Sequence, residues 1–339
     1  MAIRLLAAAC LVLGAAAAAA AQPSLSGFAA LDARYFLDPP AYQGQEARRL
    51  LPSVLLQPEF YYDWPDGRNS LTVAPMARLD SSDERRQHVD LRELNWLHAA
   101  PAWDLLVGIG RVFWGVTESR HLVDVINQTD RVEDLDGDDK LGQPMVRLSL
   151  IRDWGTLTFF ALPYFREPTY AGEKGRLRGG LVVDADNPQF ESSLEEWHPD
   201  AAARWSHALG DWDVALGYFR GTSRAPRFTV DFGAGGRPRL IPVYDQIDQA
   251  SLELQWTVEA WLWKLEAIHR WGHGEDFSAA VAGFEYSFFS LFGSALDLGV
   301  LAEYLYDGRS AMAPATPFEN DLFVGARLAF NDVGDTSLL

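Results

Sequence analysis

One cysteine, Cys10, is present in 339 residues, and it falls inside an N-terminal run of small apolar residues. It allows no disulfide framework, cysteine nucleophile or cysteine-based metal cluster. Long apolar runs are scarce too. Beyond that N-terminal stretch, nothing approaches the ~20 residues a spanning helix needs, which excludes a helical membrane protein. Basic residues are outnumbered, with Lys and Arg at 29 against 47 Asp and Glu and a formal net charge of -18. That balance excludes nucleic acid as a partner. Aromatic residues, by contrast, are plentiful: Trp 12, Tyr 11 and Phe 19.

The N-terminus has the pattern of a secretory signal peptide. Arg4 precedes an apolar run from Leu5 to Leu13, and small residues continue to Ala21. Residues 1–21 are therefore expected to be removed, with cleavage between Ala21 and Gln22, leaving 22–339 as an exported chain without thiols.

Alternation then sets the fold class. Leu71, Val73, Pro75, Ala77 and Leu79 form one apolar set, while Thr72, Ala74, Met76, Arg78 and Asp80 fill the positions between. Val54, Leu56, Pro58, Phe60, Tyr62 and Trp64 repeat the pattern against Ser53, Gln57, Glu59, Tyr61 and Asp63. A Pro65 to Asn69 turn joins the two runs into a hairpin. The same period predicts strands at about 24–37, 53–64, 70–80, 87–98, 103–112, 145–151, 155–165, 200–208, 212–221, 248–258, 260–271, 277–288, 295–306 and 320–330. Most match the ~9–11 residues of a tilted membrane-crossing strand. Short turns at 99–102, 152–153, 209–211, 258–259 and 289–294 trade places with long loops at 113–144, 166–199 and 222–247. The expected fold is all-β, a transmembrane antiparallel up-and-down β-barrel of 14–16 strands with short periplasmic turns and long extracellular loops. Trp64, Trp103, Trp154, Trp212, Trp256, Trp261 and Trp263 lie beside short turns, as an interfacial girdle requires and a sandwich core does not.

The opposite phase carries charge. Arg34, Arg78, Arg92, Arg147, Arg204, Lys264, Arg270 and Arg327 would face inward with Glu59, Asp63, Asp213, Glu253, Glu266, Glu285, Asp297, Glu303 and Asp321. A basic residue on the lipid face at mid-membrane costs ~2–4 kcal/mol, which forces that phase. The inward set makes either a salt-bridge lattice filling a narrow interior or a water-filled pore with a transverse field. The short stretch from Thr336 to Leu339 after the last strand suggests a 16-stranded barrel lacking most of its last hairpin, or a 14-stranded barrel with a tail.

The longest polar interruption, 113–144 with its approach from Arg111, is expected to sit within the barrel as a constriction. It supplies Arg111, Trp114, Glu118, His121, Asp124, Asn127 and Asp130 among apolar residues that suit packing on a wall. Leu122, Val125 and Ile126 have the spacing of a short helix that Thr117 or Ser119 could cap. The acidic run from Asp134 to Asp139 has its glycine two places early for an EF-hand and Met145 at the twelfth position, so a solvated turn is expected and no metal or cofactor. Trp205-Ser206-His207 is the one local serine–histidine pair, but neighbours on a strand point to opposite faces. His269 and His273 with Glu275 and Asp276 form an ordinary cluster, and no enzyme is expected.

The run Arg111 to Asp130 followed by Lys140 to Val146 resembles a stretch of uncharacterised porin-like proteins of Gram-negative outer membranes. An Arg and a Trp-Gly step there precede an Asp-x-Ile-Asn segment. The chain is similar, more loosely, to alginate-export-type porins. The resemblance implies a passive outer-membrane channel for small polar or charged solutes, with Arg111, Trp114, Glu118, Asp124 and Asn127 at the recurring positions. The alternative is a non-conducting structural or adhesion barrel. Expected partners are outer-membrane lipid and lipopolysaccharide, small polar solutes and the barrel-assembly machinery.

Overall fold

The structure is a computed structural model that describes residues 2–10, 23–134, 137–233 and 236–339. It opens with β1 (Ala2–Cys10), β2 (Ser24–Phe36), β3 (Leu50–Asp63), β4 (Asn69–Asp80), β5 (His88–Ala100) and β6 (Trp103–Gly110). Past the long loop come β7 (Gln143–Arg152), β8 (Gly155–Leu162), the two-residue β9 (Gln189–Phe190), β10 (Asp200–Leu209) and β11 (Trp212–Thr222). The rest are β12 (Arg227–Phe232), β13 (Pro238–Tyr244), β14 (Gln246–Val258), β15 (Trp261–His273), β16 (Glu275–Phe288), β17 (Asp297–Asp307), β18 (Asn320–Ala329) and β19 (Ser337–Leu338).

All strands that alternation predicts are present, and each pairs antiparallel with its neighbour in a 16-stranded sheet running from β1 to β19. β2 pairs with β1 and β3, while β18 pairs with β17 and β19. The expected cleavage point after Ala21 lies outside the described residues. The sheet is curled. Its long loop touches β4 through Arg78 and also touches β15 and β17 through Glu266 and Glu303, so strands distant in the sheet order face each other across that loop.

Parity survives this curl. Along β4, Ser70, Ala74, Met76, Arg78 and Asp80 are buried, while Leu79 is 67% exposed on the outside. A register shift at Ala74/Pro75 breaks strict alternation and lets Arg92 of β5 join the inner face. Outside, Trp212, Trp256, Trp263 and Phe284 stand opposite one another across four strands at one height. Trp212 and Trp256 stack at 5.1 Å. Trp271 lies on the same face of β15, roughly 26 Å farther along at ~3.3 Å per residue, with Leu265 and Ala267 between them.

Three expectations are corrected. The 222–247 loop holds the hairpin β12–β13, which with β9 makes a separate 3-stranded sheet. Pro238 and Pro242 within β13 hid it, because proline demotes a strand reading. No helix forms at Leu122 to Ile126. The inner face is also not uniformly wet: Leu106, Phe160, Phe219, Ile268, Phe277 and Val281 form an apolar seat for the loop. The small separate sheet caps the long-loop end. There Tyr244 is fully buried against Phe165 at 5.0 Å, and its hydroxyl donates to Glu167 at 3.0 Å.

Candidate functional site

The loop between β6 and β7 crosses the interior, and the two walls it meets hold it in opposite ways. Leu122, Val123, Val125 and Ile126 are each no more than 6% exposed on the apolar seat. Burial of that kind is worth ~1.5–3 kcal/mol per side chain. A loop buried this way must still place its backbone donors. Glu266 of β15 takes them: its Oε1 accepts from Val116 N (2.8 Å), Thr117 N (3.0 Å) and Thr117 Oγ1 (2.7 Å), and its Oε2 accepts from Val123 N (3.3 Å). Glu303 of β17 does the same for Glu118 N (2.9 Å), Ser119 N (2.8 Å) and Ser119 Oγ (2.5 Å). Both carboxylates are fully buried. The donors of Val116 to Ser119, which would lie at or before a helix start and so lack internal partners, go to the wall, and Glu266 also takes Val123 N, which a helix would have used internally.

Gly115 makes this approach possible. Its φ is +145, and a Cβ there would sit 2.9 Å from Glu266 Oε1 and 3.0 Å from His121 Nδ1. The Trp-Gly step therefore has a physical reason.

Across the interior the polarity reverses, because wall arginines hold loop carboxylates. Arg78 donates through Nε to Glu133 Oε1 at 2.7 Å and through Nη2 to Oε2, while its Nη1 reaches Ser53 Oγ at 2.9 Å. Arg92 donates to Asp130, which also accepts from Thr169 Oγ1. Arg86 braces the group, giving Nε to Val132 O (2.7 Å) and Nη1 to Asp80 (2.6 Å). Burial alone would raise the Asp130 carboxyl, but His88 and Arg92 beside it hold it well below the usual carboxylate range. His88, Asp130 and Glu133 bring ligand atoms within 4.8 Å of one another. Arg78 and Arg92 already occupy those carboxylates, so the trio is an ion-pair knot and does not fit a cation.

The remaining sequence-predicted residues sort themselves around the two clamps. Asn127 staples the loop to itself: its Oδ1 accepts from Val112 N at 2.8 Å, and its Nδ2 donates to Gly110 O and Leu141 O, both at 2.9 Å. Asp124 pairs with Lys140 at 3.1 Å, and burial raises its pKa. His121 lies 3.8 Å from Glu266, whose carboxylate raises the imidazole pKa. Glu118 bonds Lys264 Nζ at 2.6 Å. Trp114 is buried edge-on to Phe160 at 5.6 Å, with Arg204 5.8 Å over its ring. Arg204 is bidentate to Glu253 at 2.9 and 2.8 Å, and Arg147 pairs with Asp104 at 3.2 Å. Arg111 is exposed at the loop's entry beside Glu93, 3.1 Å away. Arg327 faces inward opposite Gly299 but has no ion pair among the described residues, so it stands apart from the loop.

Sequence reasoning missed the roles of Arg86 and Glu133. One lies in a connection and the other in the loop, where strand parity gives no signal. It also grouped His269 with His273. The register shift between Arg270 and His273 separates them: His269 bonds Ser278 on the outside at 2.8 Å, while His273 is fully buried beside Ser223 at 2.8 Å. Ser223 is equally buried, so this long-range serine–histidine pair is a structural latch. Leu135 and Asp136 of the acidic turn lie outside the described residues.

No protein-family model and no curated protein matches the chain. Among solved structures it is similar to OmpT, an outer membrane protein of Vibrio cholerae in trimer form, at 12% identity over 91% of this chain and 83% of that one, with a TM-score of 0.49. It is similar to OprB of Pseudomonas putida at 11% identity over 91% and 84%, with a TM-score of 0.44. It is also similar to the FrpB iron transporter of Neisseria meningitidis at 9% identity, covering 92% of this chain and 53% of that chain, with a TM-score of 0.45.

Proposed function

We propose that the chain is a porin-like outer-membrane channel in which the 111–142 loop sets what small polar or charged solutes can pass by diffusion. The observation that carries this is the loop's double clamp, acid to backbone on one wall and base to carboxylate on the other. Such a clamp fixes a polar constriction inside a sheet whose outer face is apolar and banded by aromatics. Export through the signal segment 1–21, insertion by the assembly machinery and contact with lipopolysaccharide belong to the same reading.

The apolar seat around Phe160, Ile268 and Val281 favours a second reading, a non-conducting barrel that serves the envelope mechanically. Planar-bilayer recording separates the two. The refolded chain is expected to give stepwise currents, with larger steps in the Glu266→Gln/Glu303→Gln double variant and in a deletion of 113–141. Absence of current in all three forms removes the channel and leaves the mechanical barrel.

A further inference from the structure

A second row of inward side chains lies toward the long-loop end, on β11, β14, β15 and β16. Phe219 stands opposite Gln249, Gln249 opposite Arg270, and Arg270 opposite Phe277. Arg224 covers the Phe219 ring at 5.1 Å, and Arg309 covers the Phe277 ring at 4.4 Å. The loop adds Arg120, bonded to Asp307 at 2.9 Å.

The arc has more donors than acceptors. Arg224 has Asp200 at 2.7 Å, whereas Arg309 and Arg120 share the single carboxylate of Asp307. Arg270 meets no carboxylate within ion-pair distance among the described residues. Its Nε gives a 2.8 Å bond to Gln249 Oε1, its Nη2 donates to the same atom, and Nη1 lies 3.3 Å from His273 Nδ1. A guanidinium can only donate, so the amide orientation of Gln249 is fixed and its NH2 is a true donor. That Nε2 has no acceptor although Gln249 is only 1% exposed, and Arg224 Nη2 is likewise unpartnered. Orphan buried donors beside excess positive charge are costly unless something negative completes them.

We propose that Arg224, Gln249, Arg270 and Arg309 form an interior binding arc for an oxyanion, a carboxylate or phosphate group. Its oxygens accept from Arg224 Nη2 and Gln249 Nε2, while Arg270 and Arg309, whose nitrogens already have partners, supply the positive field. Planar forks suit such a group better than point charges do. The proposal deepens the channel reading by naming a solute class, and it rests on solutes reaching the interior.

The test uses the refolded full chain in detergent micelles, with its thermal midpoint followed at matched ionic strength in inorganic phosphate, acetate or chloride. A saturable rise in phosphate or acetate that chloride does not give is the expected result, and whichever arm responds identifies the source. Arg270→Met should abolish the rise, and Arg270→Lys, which keeps the charge and the fold, should weaken apparent affinity roughly tenfold, about the worth of one charge-assisted hydrogen bond. No rise over chloride, or an equal rise in Arg270→Met, overturns the arc. Anion binding in a chain that carries no current leaves the arc standing and removes the channel. Current with no anion-specific stabilisation does the reverse.

Discussion

The acid wall and the basic wall hold one loop by different logic. Glu266 and Glu303 receive mostly backbone N–H groups, so that clamp reads the path of the loop and little of its side-chain sequence. Arg78 and Arg92 receive the carboxylates of Glu133 and Asp130, so that clamp reads two residue identities. The first is robust to side-chain change and vulnerable to a change of backbone conformation. The second has the opposite weakness.

The contrast can be broken in order of size. Glu133→Ala strips Arg78, 1% exposed, of its bidentate partner and leaves it only Asp32 at 3.6 Å, and should destabilise by ~3 kcal/mol in urea unfolding. A loss below 1 kcal/mol would mean the basic wall does not hold the loop. Glu266→Gln retains one acceptor oxygen and places an NH2 among donors. It should cost ~1.5–3 kcal/mol and shift Trp114 fluorescence to the red, with Glu303→Gln smaller because that carboxylate holds three donors in place of four. Gly115→Ala leaves every clamp residue intact yet imposes the φ strain and the Glu266 contact, so it should mimic Glu266→Gln and leave the loss caused by Glu133→Ala unchanged.

Proton linkage gives the smaller effects. His121 has its pKa raised by Glu266, so its contribution is full below the ordinary value of 6.5 and is lost as pH rises through the raised one. Docking of the acid wall should weaken in that window, and His121→Phe should flatten the titration. In the cap, burial pushes Glu167 up to about 7. That group favours folding when protonated and loses its contribution as pH rises toward 7. Glu167→Gln should therefore remove a local fall in cap protection, measured by hydrogen exchange at Tyr244, without touching either clamp.

The strands were legible because each alternates an apolar outward face with a polar or small inward one, and that period is written in the sequence. The hairpin β12–β13 belongs to a separate sheet outside that rhythm, and its prolines argued against it. Within the site, Arg78, Lys264 and Glu266 were visible from parity alone. Glu133 and Arg86 were not, because a loop has no period and its partners are fixed only once the sheet curls. The spacing of Leu122, Val125 and Ile126 correctly marked burial but suggested a helix. Helical period and a flat run on an apolar wall can bury the same residues, so that spacing alone does not tell them apart.

The amide of Asn127 joins the loop's entry at Val112 to its exit at Leu141. A segment pinned at its neck cannot peel away from one end; it swings as a whole, like a shutter on one hinge. Under the proposed channel reading, a loop that moves as one body gives recordings that switch between two discrete levels with no graded states between them.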